Sequence, residues 1–199
     1  MPGQKIAESE RKEQILTATM RVATKMGLEK VTGRRVAAEA GISSGSVFFH
    51  YKTKNDLLLA LLDKLIVWWL TTREIQASDP RSQFLELINS EARVDEREEI
   101  DLLLEFWILG RKHPEMRSRF QEAMVKYRDK FCLVARQMIQ DDSDKLSQTT
   151  PESIAIFASS LIIGNALQMM FAPEFSNSDA LVEVAKILFS DSNNKEQSR

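Results

Sequence analysis

Apolar side chains recur every three or four positions along most of this chain, which is the spacing of one face of an α-helix. In the first such segment, Ile15, Ala18, Val22 and Met26 form one stripe. The same period predicts nine helical segments, at about 9–26, 34–40, 45–51, 56–74, 81–92, 97–112, 115–140, 152–171 and 178–189. No stretch sustains the alternation of apolar and polar residues that is typical of a strand. The pattern therefore predicts an all-α fold with about nine helices.

Residues 34–54 differ in pattern from the longer helices around them. A short helix ends at Gly41, a polar turn follows at 42–44, and a second short helix comes directly after it. Two short helices joined by a Gly-containing turn are typical of a helix-turn-helix motif. Val47 and Tyr51 are four positions apart, so we expect both to point into a small core. The second helix of such a motif enters the major groove of DNA.

The fourth predicted helix, at 56–74, is too apolar to be a fully exposed rod. We interpret it as the link between the helix-turn-helix domain and the rest of the chain, with Thr53 or Asn55 as its cap. The predicted regions are a DNA-binding domain at 9–55, with its helix-turn-helix motif at about 34–53, a helical regulatory and dimerisation domain at 56–190, and a disordered tail at 191–199.

Charge is distributed unevenly along the chain, although the net charge of the whole is only −2. Residues 1–54 carry ten Lys and Arg against five Glu, a net of +5, so the remainder carries −7. A basic region ahead of an acidic body is typical of a module that binds a polyanion such as nucleic acid. Chance scatter of charges is the alternative, and the helix-turn-helix pattern in the same residues argues against it.

Several classes of protein are disfavoured by the sequence. No uninterrupted apolar run reaches the roughly 18 residues of a membrane span, and the N-terminus lacks the apolar region of a secretory signal. We therefore expect a cytoplasmic protein without a membrane partner. The single Cys132 excludes an internal disulfide; we interpret it as a packing residue, with a redox sensor as the alternative. Two His, one Cys and no catalytic or metal-binding motif predict no enzyme, no catalytic residue, no metal and no cofactor.

Residues 11–60 resemble the DNA-binding domain of the TetR family of transcriptional regulators. The matching positions, in order, are Ile15-Leu16, Ala18, Gly27, Thr32, Val36-Ala37, the block AGIS at 40–43, Gly45, the block VFFHY at 47–51, Lys54 and Leu57-Leu58. Two positions depart from the family pattern. Phe48 stands where a Tyr is common, whose hydroxyl often meets a phosphate, and Ala23 stands where an aromatic residue is common.

The resemblance also implies an architecture for the rest of the chain. TetR-type proteins add a C-terminal all-helical domain that dimerises through its last two long helices and usually encloses a ligand pocket. Residues 102–131 are similar to this domain in the branch of BetI-type, choline-responsive repressors; the architecture is carried over, but not choline. The implied fold is an N-terminal three-helix helix-turn-helix domain followed by a helical ligand-binding and dimerisation domain.

The residues predicted to contact DNA lie at helix N-termini or on the outer face of the second short helix. Helix N-termini present free backbone N–H groups to phosphate, and Arg can bond two guanine atoms together. Phe49 can pack against a thymine methyl, whereas Phe48 has no hydroxyl and packs against sugar or protein. The predicted set is Thr32, Arg34, Arg35, Ser43, Ser44, Gly45, Ser46, Phe48, Phe49, His50 and Lys54. A solvated helix face is the alternative for the two Arg, and a locally satisfied side chain is the alternative for His50.

One DNA-binding head makes few contacts, so tight and specific binding calls for a symmetric dimer. Small and apolar residues on the last two helices suit a four-helix interface. The predicted interface residues are Phe157, Leu161, Gly164, Leu181, Val184 and Leu188. Core packing within one chain is the alternative for the same residues.

Aromatic and Met side chains are concentrated in the body, which predicts a small-molecule pocket there. The predicted lining is Trp68, Leu103, Phe106, Trp107, Phe120, Met124 and Tyr127, with Glu105 as a further polar residue. Plain core is the alternative for each of them.

These observations together predict a dimeric transcriptional regulator, specifically a repressor. Its partners would be a palindromic double-stranded DNA operator, a second copy of the chain and an unknown small-molecule effector. The ligand would favour a conformation in which the fourth helix moves the two heads out of register with successive major grooves. Two alternatives stay open: a body that binds a partner protein and has no pocket, and action as an activator.

Overall fold

The computed structural model describes residues 7–71, 75–93, 97–141, 146–172 and 177–189. In these ranges the chain is helical and contains no strand. The helices are α1 (Glu8–Met26), α2 (Gly33–Ala40), α3 (Ser44–His50), α4 (Lys54–Leu70), α5 (Pro80–Ala92), α6 (Arg97–Gly110), α7 (Pro114–Asp141), α8 (Pro151–Phe171) and α9 (Ser178–Phe189). Short 3₁₀ turns occupy Leu28–Lys30 and Leu146–Gln148. The predicted all-α fold with about nine helices is confirmed.

The start of α4 shows how local capping chemistry sets the helix boundaries. The hydroxyl of Thr53 accepts from the N–H of Asp56 at 3.1 Å, and the carboxylate of Asp56 accepts from the N–H of Thr53 at 2.9 Å. This reciprocal pair satisfies two N–H groups that the helix itself leaves free, so α4 begins at Lys54, two residues before the predicted start. Residues 72–74 of the predicted helix lie outside the described residues, as does the predicted tail at 191–199.

Two compact units make up the described chain. The N-terminal unit comprises the described residues up to Trp69 together with Arg97–Gln121. Leu61, Leu62 and Phe106 are fully buried in its core, with α1 and α2 packed alongside. The buried leucines explain why the sequence of α4 is so apolar. The predicted domain boundary between residues 55 and 56 falls inside this unit.

The C-terminal unit comprises Leu70–Glu96 and the residues from Glu122 onward, as far as they are described. The ring of Phe84 meets the rings of Phe131 and Phe189 edge to face, with centroids 6.0 and 4.9 Å apart. Burial and the neighbouring Glu91 raise the pKa of Tyr127 well above its ordinary value. Glu91 also pairs with Lys130 at 3.4 Å, so a small polar cluster is enclosed beside the aromatic core.

We expect Asp79→Ala to lower the free energy of unfolding by about 1 kcal/mol. Asp79 caps α5 by accepting from the N–H of Ser82 at 2.9 Å, and Ser82 holds the pKa of Asp79 below its ordinary value. Because the folded-state pKa is lowered, the stabilisation is complete above the unfolded value of about 3.9 and is lost as pH falls through the folded one.

Denaturant melts at several pH values check this expectation. Asp79→Asn is the matched control, because Asn also caps helices but does not titrate. It should keep most of the stability at neutral pH and lose the acid dependence that belongs to this site. Equal losses in the Ala and Asn variants at neutral pH would contradict the capping role.

Candidate nucleic-acid interface

A tight turn at Gly41 holds α2 and α3 together. Gly41 has a φ of +66°, in the left-handed region that favours glycine, and the N–H of Ile42 donates to the carbonyl of Ala37 at 3.0 Å. Val36 and Val47 are buried, at 0% and 1% exposure. The turn therefore directs one face of α3 into the core and leaves its opposite face open.

The first turns of α2 and α3 are capped by hydroxyl groups, as the sequence suggests. Thr32 accepts from the N–H of Arg35 at 3.3 Å, and Ser43 accepts from the N–H of Ser46 at 3.1 Å. Between these helix starts lies an open groove of about 530 Å³, lined by Thr32, Gly33, Arg34, Arg35, Ser44 and Phe48. Five of these six residues belong to the predicted DNA-binding set. The structure thus brings these five members of the predicted set together around one concave surface.

Phe48 lies over the first residue of α2. A Cβ atom at Gly33 would lie 2.7 Å from the ring Cζ of Phe48, closer than non-bonded carbon atoms pack. The ring nevertheless stays 47% exposed, so one face covers the backbone of α2 and the rest faces solvent. Gly33 therefore belongs to the site, although the sequence analysis did not single it out. In the sequence, only the position of Gly33 directly after the N-cap Thr32 could have suggested this role.

The 3₁₀ turn Leu28–Lys30 anchors two of the basic side chains. The ammonium group of Lys54 donates to the carbonyl of Glu29 at 2.7 Å, and the guanidinium of Arg35 donates to the carbonyl of Lys30 at 2.8 Å. Both side chains remain exposed. Each cation keeps further N–H donors that these bonds do not use, so both groups are positioned and still able to bind an anion.

The open face of α3 presents an aromatic side chain with a cation beside it. Phe49 is 69% exposed, and its ring meets that of His50 edge to face with centroids 5.0 Å apart. The ammonium of Lys52 lies 5.5 Å from the Phe49 ring centroid and donates to the Phe49 carbonyl at 3.2 Å. Ser46 is half-buried and Gly45 is exposed on the same helix. Lys52 was absent from the predicted set, although its position just beyond α3 could have suggested it.

The residues predicted to line a ligand pocket are divided between the two units and differ in burial. Trp68, Leu103, Phe106, Trp107 and Phe120 lie in the N-terminal unit, and Met124 and Tyr127 lie in the C-terminal unit. Phe106 and Tyr127 are 0% exposed, Leu103 and Phe120 are buried, Trp68 and Met124 are half-buried, and Trp107 is 42% exposed. The Trp107 ring stacks on that of Phe120, with centroids 6.3 Å apart. Their role as a pocket lining stays a prediction.

Glu105 has a different environment from the other predicted pocket residues. Its carboxylate accepts from the N–H of Leu28 at 3.1 Å and so ties α6 to the 3₁₀ turn. It also lines a groove of about 840 Å³ in the N-terminal unit, whose walls include Met26, Lys54 and Ile108. None of the seven other residues of the predicted pocket lines this groove.

The last two helices carry apolar side chains that the described chain leaves uncovered. Phe157, Val184 and Leu188 are about half exposed, at 44%, 52% and 51%, and Leu161, Gly164 and Leu181 are half-buried. A Cβ atom built at Gly164 would have no atom within 4 Å. Within the described ranges α8 alone is long and apolar enough to cross a membrane by length and composition, a test that an apolar core helix also passes.

Comparison with known proteins identifies this arrangement. The profile of the bacterial regulatory proteins of the tetR family matches residues 15–61, from within α1 to within α4. Over nearly its whole length the chain is similar to the HTH-type transcriptional regulator PksA of Bacillus subtilis (strain 168). The two are 31% identical over 191 residues, which cover 92% of this chain and 90% of PksA.

Solved structures agree with the fold. A transcriptional regulator from Saccharomonospora viridis, solved in complex with choline, has a TM-score of 0.79 and 19% identity, covering 93% of this chain and 98% of that one. A TetR transcription regulator from Haloarcula marismortui ATCC 43049 has a TM-score of 0.73 and 24% identity, covering 92% and 95%. With the full-length similarity to PksA, these findings show that the chain belongs to the TetR family and is a DNA-binding transcriptional regulator rather than an enzyme.

Proposed function

We propose that this protein is a cytoplasmic repressor that binds a palindromic DNA operator as a homodimer and leaves it when a small molecule binds. The open face of α3 is the observation on which we assign the DNA-reading surface. Phe49 is 69% exposed on a helix whose opposite face carries the buried Val47. An aromatic ring this open to solvent gains by burial against a partner, and the cations around it favour a polyanion.

In this proposal α3 lies in the major groove and reads base edges. Gly45 lets the backbone approach the bases closely. Ser46 supplies a hydroxyl, and Phe49 packs against a thymine methyl. His50 donates to a phosphate at the end of the same helix. Lys52, held against the Phe49 ring, adds positive charge beside the groove.

Phosphate contacts fix the register of the head on the duplex. The helix N-termini supply N–H groups and partial positive charge at a concave surface. The residues assigned to phosphate are Thr32, Arg34, Arg35, Ser43, Ser44 and Lys54. Phe48 has no hydroxyl to donate, so its assigned role is to shape the α2 start through its contact with Gly33.

The uncovered apolar surface of α8 and α9 supports a homodimer. Exposed Phe157, Val184 and Leu188 would be removed from water if two copies packed these helices together. The open space at Gly164 permits a second helix to approach closely. A two-fold dimer places two copies of α3 to read two half-sites of a palindrome.

Release by a small molecule is the regulatory part of the proposal. A ligand that binds one conformation more tightly shifts the population toward it, and a changed spacing of the two heads no longer matches successive major grooves. The two proposed functional regions are the DNA-binding residues 9–55 and the regulatory residues 56–190. The S. viridis relative was solved with choline, which supports a small-molecule effector without identifying the one used here.

We expect selection from a random-sequence DNA library to return a palindrome, and Phe49→Ala to weaken binding to that site by roughly tenfold or more. The loss is expected because the ring reads bases, so affinity for unrelated DNA should change little.

We expect Arg34→Ala to weaken binding to the operator and to unrelated DNA alike. It should also reduce the slope of log affinity against log salt by about 0.9 for each phosphate that the variant no longer neutralises. Fluorescence anisotropy titrations at several salt concentrations measure both effects. Unchanged operator affinity in the Phe49→Ala variant would contradict the assignment of α3 to the major groove.

We expect Gly33→Ala to reduce operator affinity severalfold with little loss of stability. The added methyl carbon would lie 2.7 Å from the ring Cζ of Phe48, so the ring must move, and because it is exposed it can swing into solvent. The matched experiment is a double-mutant cycle. In the Phe48→Ala background the Gly33→Ala change should have no further effect on affinity. Additive losses would show that the two residues act independently.

We expect Val184→Asp to abolish the dimer at micromolar concentration, because the charge would lie in an apolar interface. Sedimentation velocity measures the oligomeric state. Val125→Asp is the matched control, since Val125 is similarly exposed, at 59%, on α7, and it should leave the dimer intact. A dimer that survives in Val184→Asp would place the interface on another surface.

A further inference from the structure

Apart from Lys54, no residue that lines the groove of about 840 Å³ in the N-terminal unit has a role in the DNA binding proposed above. The 3₁₀ turn, the start of α4, the end of α6 and the start of α7 surround it. Its volume is in the range of small-molecule sites, roughly 300–1,000 Å³. All of its lining residues belong to one unit, so the groove is complete within that unit.

The floor of the groove is apolar. Leu58 and Met116 are buried beneath it, at 5% and 1% exposure, while Met26 and Ile108 stand open to solvent at 49% and 68%. Exposed Met and Ile side chains inside a concavity gain by burial against an apolar group. Unbranched Met side chains also adapt to ligands of different shape. This surface suits an aliphatic or aromatic body.

Lysines form the polar side of the same groove. Lys30, Lys54 and Lys112 line it, and among the described residues the ammonium groups of Lys30 and Lys112 have no carboxylate partner. Two carboxylates also line it. That of Glu105 accepts from the N–H of Leu28, and that of Glu29 belongs to an exposed side chain. Three lysines against two glutamates line the groove, and this excess of positive charge favours an anion of single charge.

We propose that this groove binds an amphipathic carboxylate, with its apolar body on Met26, Leu58, Ile108 and Met116 and its charged end at Lys30, Lys54 and Lys112. The inference rests on the proposed function, because it names an effector class and a site for the ligand that releases DNA. It places that site beside the DNA-binding surface rather than among the aromatic residues of the predicted pocket.

The geometry gives such a ligand a direct route to DNA release. Lys54 lines the groove and is also assigned to a DNA phosphate, so a carboxylate and a phosphate compete for the same ammonium group. The turn that forms one wall anchors Arg35 through the carbonyl of Lys30. A ligand that moves this turn therefore moves a second DNA-binding cation. Because coupling between two ligands is reciprocal, operator DNA must weaken carboxylate binding by the same factor.

Sodium decanoate, below its micelle concentration, is the probe for the test. Methyl NMR of protein with ¹³C-labelled Met reports its location, since Met26 and Met116 line the groove while Met124 lies in the C-terminal unit. We expect saturable shifts at Met26 and Met116, and a matching loss of operator affinity. Decanol and decyltrimethylammonium are the controls for the apolar body alone and for the opposite charge. Both should bind more weakly and leave DNA binding unchanged.

Two exposed groove residues supply the variants. Lys112→Gln should weaken decanoate binding by roughly tenfold through loss of a charge-assisted contact while operator affinity without ligand stays the same. Lys126→Gln removes the same charge from an exposed position on α7 outside the groove and should bind decanoate normally. Ile108→Glu, at a 68% exposed position, should abolish binding through like-charge repulsion.

The outcomes separate this inference from the proposed function. Decanoate shifts confined to the C-terminal methionines, or no binding of decanoate at all, would overturn the groove assignment and leave ligand-dependent repression standing. Equal effects of Lys112→Gln and Lys126→Gln would also overturn it. If the ligand-free protein binds none of the DNA sequences returned by the selection, the proposed function itself is overturned. This holds for any result of the methyl NMR experiment.

Discussion

The 3₁₀ turn Leu28–Lys30 is the constraint on which the DNA-facing charges depend. Its carbonyl groups at Glu29 and Lys30 receive the side chains of Lys54 and Arg35, and its first N–H is held by Glu105. Leu28 in the turn and Val31 just after it are buried in the core, so apolar packing also holds the turn in place. The positions of two cations therefore follow from one short segment. This segment is also a wall of the groove assigned to an effector.

Much of the fold could be predicted because its signals are local. The period of the apolar residues located the nine helices of the described ranges. The sequence predicts Thr32 as the cap of α2 and either Ser43 or Ser44 as the cap of α3, and in the structure Thr32 and Ser43 cap these helices. Val47 could be assigned to the core because it lies four positions before Tyr51, on the same face of a short helix. These features depend on residues a few positions apart, and one sequence contains all of that information.

The features that escaped prediction depend on residues distant along the chain or on shape. Nothing local to Gly33 indicates that the ring of Phe48 covers it, and Glu105 reaches the turn from 77 residues away. The environments of the aromatic residues assigned to the predicted pocket were harder to predict. Fully buried Phe106 and half-exposed Trp107 are adjacent on one helix, and a stripe at helical spacing is compatible with either core or pocket. Only the packed structure separates these two environments.

The hydrogen bond from Leu28 to Glu105 has a consequence for synthesis of the chain. At about 5–20 residues per second, translation takes roughly 4–15 s to travel from one of these residues to the other. Throughout that interval α6 has not yet been made, and the turn lacks the carboxylate that accepts from its first N–H. The buried contacts of Phe106 are missing for as long. The DNA-binding region is therefore completed by residues that are synthesised well after it. A nascent chain that stops before α6 carries α3 but lacks the Glu105 contact to the turn that anchors Lys54 and Arg35.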